Sequence, residues 1–143
     1  MSLCTIGTRS VITVQVDTPV LEIARMMRDR SLGSVVVLRD DKPVGIVTDR
    51  DLTVRVLAEG REVDGLCAEQ IMSAPLTCVA DTDAPLKAAT LMREGTVRRL
   101  PILGRQGNLV GILCLDDLMS HLSRTQNEMC EAIASFPVPH HGG

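Results

Sequence analysis

Aromatic side chains are nearly absent from this chain. Phe136 is the only one, with no Tyr or Trp among 143 residues. Stacking platforms for unpaired bases are therefore missing, and a net charge of −3 gives no general attraction for phosphate backbones. Both absences speak against nucleic-acid binding. No apolar run approaches the roughly 18 residues that a membrane span needs. The N-terminus shows no basic region followed by an apolar stretch. A cytoplasmic protein without a membrane partner is expected. The five cysteines (Cys4, Cys67, Cys78, Cys114, Cys130) are odd in number, scattered, and form no C-x-x-C pair. That argues against a disulfide framework and a structural zinc site. His121 shares its segment with Ser120 and Ser123, and His140-His141 lie near the C-terminus. Two histidines do not make a metal site, and no nucleophile, base and orienting group can be assembled. An enzyme is not expected.

What the chain does contain is a repeat. Leu21-Glu22-Ile23-Ala24-Arg25-Met26-Met27 returns as Leu86-Lys87-Ala88-Ala89-Thr90-Leu91-Met92, 65 residues on. Gly45-Ile46-Val47-Thr48-Asp49-Arg50-Asp51-Leu52 returns as Gly111-Ile112-Leu113-Cys114-Leu115-Asp116-Asp117-Leu118, 66 residues on. The single inserted residue falls in the turn, where Asp40-Asp41-Lys42-Pro43 faces Gly104-Arg105-Gln106-Gly107-Asn108. Two in-register segments mark a duplicated unit. A unit of roughly 60 residues buries too little surface to be comfortable alone, so the two are expected to pair.

Each unit reads strand, helix, strand, strand, helix. In the first, a strand around Ile12 to Val16 precedes Thr18, an expected N-cap, and Pro19, suited to the first helical position. Val20, Ile23, Ala24 and Met27 then fall on one helical face, with Arg25, Arg28 and Asp29 opposite. Gly33 is expected to end this segment. Ser34 to Leu38 is a β-branched apolar run of the kind buried on both faces of a sheet. After the turn, Val44 to Val47 forms the next strand, and a helix runs from Thr48 to about Ala58. The second unit places strands at Leu76 to Ala80, Arg99 to Leu103 and Leu109 to Leu113, a helix at Ala84 to Arg93 punctuated by Gly95, and another helix from Asp116 to about Ala134. Ala68 to Met72 is expected to form one helical turn. The expected organisation is repeat 1 over 8–60, a connector over 61–70, repeat 2 over 71–123, and a helical extension with a frayed tail over 124–143.

The glycine segment admits two readings. Thr48-x-x-Asp51 before an apolar run is a capping-box pattern, contributing about 0.5–2 kcal/mol with no ligand. A strand leading into a helix N-terminus also presents free N–H groups, a hydroxyl and a carboxylate together. Such a carboxylate can accept hydrogen bonds from the two hydroxyls of a ribose. In the second copy Cys114 is a poor cap, so the reciprocal box is expected to be broken while Asp117 remains. An Asp in a first helical turn is favoured by the dipole regardless. The residues alone do not choose between the readings.

The chain resembles the CBS-domain family (named for cystathionine β-synthase), specifically a stand-alone tandem pair, or Bateman module. The matching segments are Gly45 to Leu52, Thr18-Pro19-Val20, Ile71-Met72-Ser73 and Arg98-Arg99-Leu100-Pro101-Ile102-Leu103, and the likeness covers roughly residues 10 to 123. The resemblance implies an α/β (α+β) fold of two β-α-β-β-α repeats packed through their sheets with pseudo-twofold symmetry. It implies two clefts for adenosine-containing ligands: AMP, ADP, ATP, NAD(H) or S-adenosylmethionine. The first cleft would use Ile46, Thr48 and Asp51 with Leu76 and Val97, and Arg98 and Arg99 would meet phosphates. The second would use Ile12, Gly33, Ser34, Ile112, Cys114 and Asp117, with no charge at Gly33-Ser34. Such a module would sense a nucleotide and modulate an effector protein, and exposed helices, the C-terminal one included, would support a homodimer. The alternative is a scaffold whose clefts are vestigial.

Overall fold

The computed structural model describes residues 1–137; His140, His141 and the rest of 138–143 lie outside the described residues. The elements run β1 (Thr13–Gln15), α1 (Val20–Arg30), β2 (Ser34–Arg39), β3 (Lys42–Thr48), α2 (Asp49–Asp51, passing into a π-helical stretch, Leu52–Leu57) and α3 (Ala68–Ile71). The second half continues with β4 (Val79–Ala80), α4 (Pro85–Gly95), β5 (Arg99–Leu103), β6 (Leu109–Cys114) and α5 (Leu115–Ser135). Each half holds a three-stranded sheet, ordered β1-β2-β3 and β4-β5-β6. In each, the first strand runs parallel to the second and the second antiparallel to the third.

Burial explains why these residues make these layers. Val35, Val37 and Val47 join Val20, Ile23 and Met27 of α1 in one core, and Leu100, Ile102 and Leu113 join Ala88 and Met92 of α4 in another. Side chains alternate along a strand, so Val36 and Ile46, register partners in the first sheet, face away from α1. They are nonetheless 0% and 9% exposed and belong to neither core. The equivalent partners Pro101 and Ile112 are buried and part-buried. These opposite faces cover one another, and the two sheets pack as a pair.

Local signals differ from expectation in informative places. Thr18 does not cap α1: its hydroxyl accepts from the Gln15 amide at 2.9 Å, closing the turn after β1, and Pro19 takes the N-cap position. The residues that turn the chain out of α1 and α4 are Ser31 and Thr96, at φ 53° and 52°. Gly33 and Gly95 do not serve that purpose. The expected strand from Leu76 shrinks to Val79–Ala80 because Leu76 and Thr77 line a cavity against the first repeat and do not pair with β5.

The main feature not foreseen is how each core is completed. Leu66, Ala68 and Ile71, which lead into the second repeat, lie in the first repeat's core. Leu3, Cys4 and Ile6, which lead into the first repeat, lie in the second repeat's core. Each lead-in also forms a two-way backbone bridge to the third strand of the repeat it completes. Ser73 and Ile46 exchange bonds of 2.9 and 3.3 Å, and Thr8 and Ile112 exchange two of 2.9 Å. The glycines of the repeated motif are needed here. A Cβ on Gly45 would lie 3.1 Å from the Ser73 carbonyl oxygen, and one on Gly111 would lie 2.9 Å from that of Thr8.

Ile71→Ala is expected to destabilise the protein by about 2–5 kcal/mol, and Leu3→Ala by a similar amount. Urea titration followed by far-ultraviolet circular dichroism measures both. A loss well under about 1 kcal/mol for either would show that the exchanged lead-ins are not part of the cores.

Candidate functional site

The corner where β3 meets α2 is built by reciprocal bonds. The Asp51 amide donates to the Thr48 hydroxyl at 3.2 Å, and the Thr48 amide donates to Asp51 Oδ2 at 2.8 Å. The capping reading is thus satisfied by geometry alone. It uses one carboxylate oxygen. The other, Oδ1, faces the Nε of Arg55 at 3.6 Å. Arg55 also donates to the carbonyls of Ile71 (3.3 Å) and Met72 (3.0 Å) and to the Ser73 hydroxyl (3.4 Å). It therefore ties the Asp51 corner to the lead-in of the other repeat.

A cavity of about 250 Å³ opens beside this tie, lined by Ile46, Arg55, Ser73 to Thr77, Gly95, Val97 and Arg99. Four predicted residues, Ile46, Leu76, Val97 and Arg99, are brought together in its wall. Thr48 and Asp51 stand behind it, joined to it through Arg55. Arg98 lies outside, 73% exposed, with its guanidinium 3.5 Å from Asp116. Sequence reasoning missed Arg55 and Ser73. Arg55 sits four residues after Asp51, the spacing of helical ion pairs, and that was its available signal. A larger cavity of about 330 Å³ lies between the N-terminus and the turns after β4 and β5. It holds none of the predicted residues, and its carboxylate, Asp81, is occupied by the Ser2 hydroxyl at 2.7 Å and the Cys4 amide at 2.9 Å. The smaller cavity has the better chemistry.

The second cleft is arranged differently from expectation. Ser34 pairs with Thr48 as Arg99 pairs with Cys114, and Gly33 accepts from the Asp49 amide as Arg98 accepts from that of Leu115. Ile12, part-buried, packs against the first core and accepts from Val36. The expectation of an uncharged second cleft is corrected: Arg99 reaches across to it. A Cβ on Gly33 would meet the Arg99 guanidinium at 2.5 Å, so the glycine makes room for that side chain. The expected broken box is also corrected in part. Asp117 Oδ2 still accepts from the Cys114 amide at 2.8 Å, so this carboxylate retains a capping role.

The sequence model of the CBS domain matches residues 4–58 and 68–124, two copies covering most of the chain. The chain belongs to the CBS-domain family. An uncharacterized protein of Methanopyrus kandleri is 37% identical over 120 residues, which are 83% of this chain and 61% of that protein. The CBS domain-containing protein YhcV of Bacillus subtilis is 35% identical over 111 residues, 78% of each chain. Among solved structures, an uncharacterized conserved protein from Pyrococcus horikoshii superposes with a TM-score of 0.75 at 28% identity. That match covers 84% of this chain and 90% of the other. The β-α-β-β-α repeat order and the sheet-to-sheet pairing are those of a CBS pair.

Within this CBS pair the thiols are protected to different degrees. Burial pushes the Cys114 thiol above the usual cysteine range and nearby Asp117 adds to the rise, while Arg99 opposes it. Burial likewise raises Cys78, and burial with Asp81 raises Cys4. Cys130 is exposed. Since the thiolate is the reactive form, iodoacetamide at mildly alkaline pH is expected to label Cys130 first. Cys4, Cys78 and Cys114 should follow slowly and speed up as pH rises further. Peptide mass spectrometry over a time course reads the order, and equal early labelling of Cys114 would contradict this packing.

Proposed function

We propose that this CBS pair is a regulatory module that binds an adenosine-containing ligand in the first cleft and passes its occupancy to a partner protein. The observation that carries the reading is the convergence of Arg55 and Arg99 with Ile46 and Leu76 on one cavity between the repeats. The aliphatic pair suits a flat base, and the two guanidiniums suit phosphate oxygens. The free side of the Asp51 carboxylate, now facing Arg55, suits a ribose. AMP, ADP, ATP, NAD(H) and S-adenosylmethionine all fit this class. CBS pairs are in general regulatory and nucleotide-binding, which agrees.

The cavity, at about 250 Å³, is smaller than the roughly 300–1,000 Å³ of small-molecule pockets. A nucleotide must therefore move Arg55 or spread the two repeats. That supplies the switch, because only a ligand with unequal affinity for two arrangements shifts their balance. At a hundredfold excess over Kd the bound state gains about 2.7 kcal/mol. The partner is an effector chain or a second copy of this one. A second reading, a scaffold with unused clefts, is favoured by one observation: Thr48 and Asp51 satisfy each other without a ligand.

The readings separate in a thermal-shift titration of nucleotide-free protein with AMP, ATP, NADH and S-adenosylmethionine. At least one ligand is expected to raise Tm. Asp51→Ala should cost about 0.5–1.5 kcal/mol of stability in either case, through loss of the reciprocal bond from the Thr48 amide. Only the sensor reading requires that it also abolish the ligand-induced rise. If none of the four ligands raises the Tm of the wild-type protein, the scaffold reading replaces the sensor.

A further inference from the structure

Arg99 is the one basic side chain drawn in from the surface. Of the 15 lysines and arginines it alone is not exposed. Its place follows from the alternation of side chains along a strand. Leu100 lies in the second core, so Arg99, at the start of β5, points to the opposite face and toward the first repeat. There it lines the first cleft. Its guanidinium rests against Gly33, where an added Cβ would lie 2.5 Å from a terminal nitrogen and 3.3 Å from the central carbon. Arg28, Arg39, Arg55 and Arg98 each face a carboxylate, but among the described residues Arg99 makes no ion pair. A charge withdrawn from water is costly unless it is paired. This guanidinium therefore gains more than the exposed ones from an arriving anion.

We infer, on the basis of the cleft function proposed for this pair, that Arg99 is a single anion centre shared by both clefts: one chain holds one phosphorylated ligand and not two. Neither cleft has another unbalanced cation to offer. In the first, the charge of Arg55 is balanced by Asp51, and its N–H groups also serve the carbonyls of Ile71 and Met72 and the Ser73 hydroxyl. In the second, Gly33-Ser34 stands where the other repeat has Arg98-Arg99. Arg98 faces Asp116 there, and Asp117 adds a carboxylate held by the Cys114 amide. A guanidinium presents one planar fork that suits one phosphate. A phosphate in the first cleft therefore draws Arg99 away from Gly33. A second phosphate, in the second cleft, would then meet Asp117 with no free cation beside it.

Isothermal titration of the nucleotide-free full chain with AMP counts the ligands. The wild-type protein is expected to take one AMP per chain, with any second bound at least about tenfold more weakly. Ser34→Arg gives the second cleft its own arginine at the position equivalent to Arg99, and is expected to raise the count to two. Arg99→Gln is expected to cut the preference for AMP over adenosine by about tenfold, with unchanged far-ultraviolet circular dichroism. Without any ligand, the same variant should move the pH profile of Cys114 alkylation upward, because the guanidinium favours the thiolate. Two equal AMP sites in the wild-type protein, or one site only in a folded Ser34→Arg variant, would overturn the sharing and leave the cleft function standing. An unmoved Cys114 profile would do the same, since Arg99 would then not reach the second cleft. No binding of AMP, ATP or NADH would strike down the shared centre and the cleft function together.

Discussion

The exchange of lead-in segments is the constraint on which the rest of this structure depends. Ile71 is 0% exposed in the first repeat's core and Leu3 is 0% exposed in the second's, yet each comes from chain outside the repeat it completes. Neither repeat closes its core with its own residues. The bridges of Ser73 to Ile46 and of Thr8 to Ile112 then fix how the two sheets sit against each other. The first cleft follows from this, since Ser73 to Thr77, leaving the bridge, form one of its walls. The glycines of the repeated motif serve backbone approach at these bridges.

At the first cleft one set of residues meets a folding need and is also available for the proposed binding. Asp51 caps α2 with one oxygen and faces Arg55 with the other. Arg55, in the π-helical stretch after Asp51, reaches the backbone of Ile71 and Met72. In this arrangement the charges of the corner are mutually balanced, and a ligand would compete with protein partners for them. Arg99 links the two clefts in a similar way, lining the first while its guanidinium rests against Gly33 of the second. The two sites differ less in charge than their strand residues imply, because a long side chain from one repeat crosses to the other.

Much of the fold was legible. The strands from Ser34 and Arg99 are long apolar runs bounded by turn residues, and the helix over Val20 to Arg30 has a regular apolar face, so periodicity identified them. The last helix, expected to run to about Ala134, ends at Ser135. The short strands β1 and β4 were read too long, because apolar character does not distinguish a residue paired in a sheet from one lining a cavity. Thr18 was misread as a cap because a hydroxyl beside a helix start can equally accept from the preceding turn. Leu3-Cys4-Thr5-Ile6 carried no visible signal. It matches Ala68-Glu69-Gln70-Ile71 in place but shares only the isoleucine.

By itself the sequence determined the duplication, the order of elements in each half, the pairing of Thr48 with Asp51 at a helix start, and the family resemblance, since all of these rest on local periodicity and repeated motifs. The tertiary structure alone decided which core each lead-in fills, that Arg55 lines the cavity while Arg98 lies outside it, and that Arg99 lines it and also reaches Gly33. Those outcomes depend on the reach of single side chains across an interface between segments far apart in the chain, and no local pattern encodes that distance.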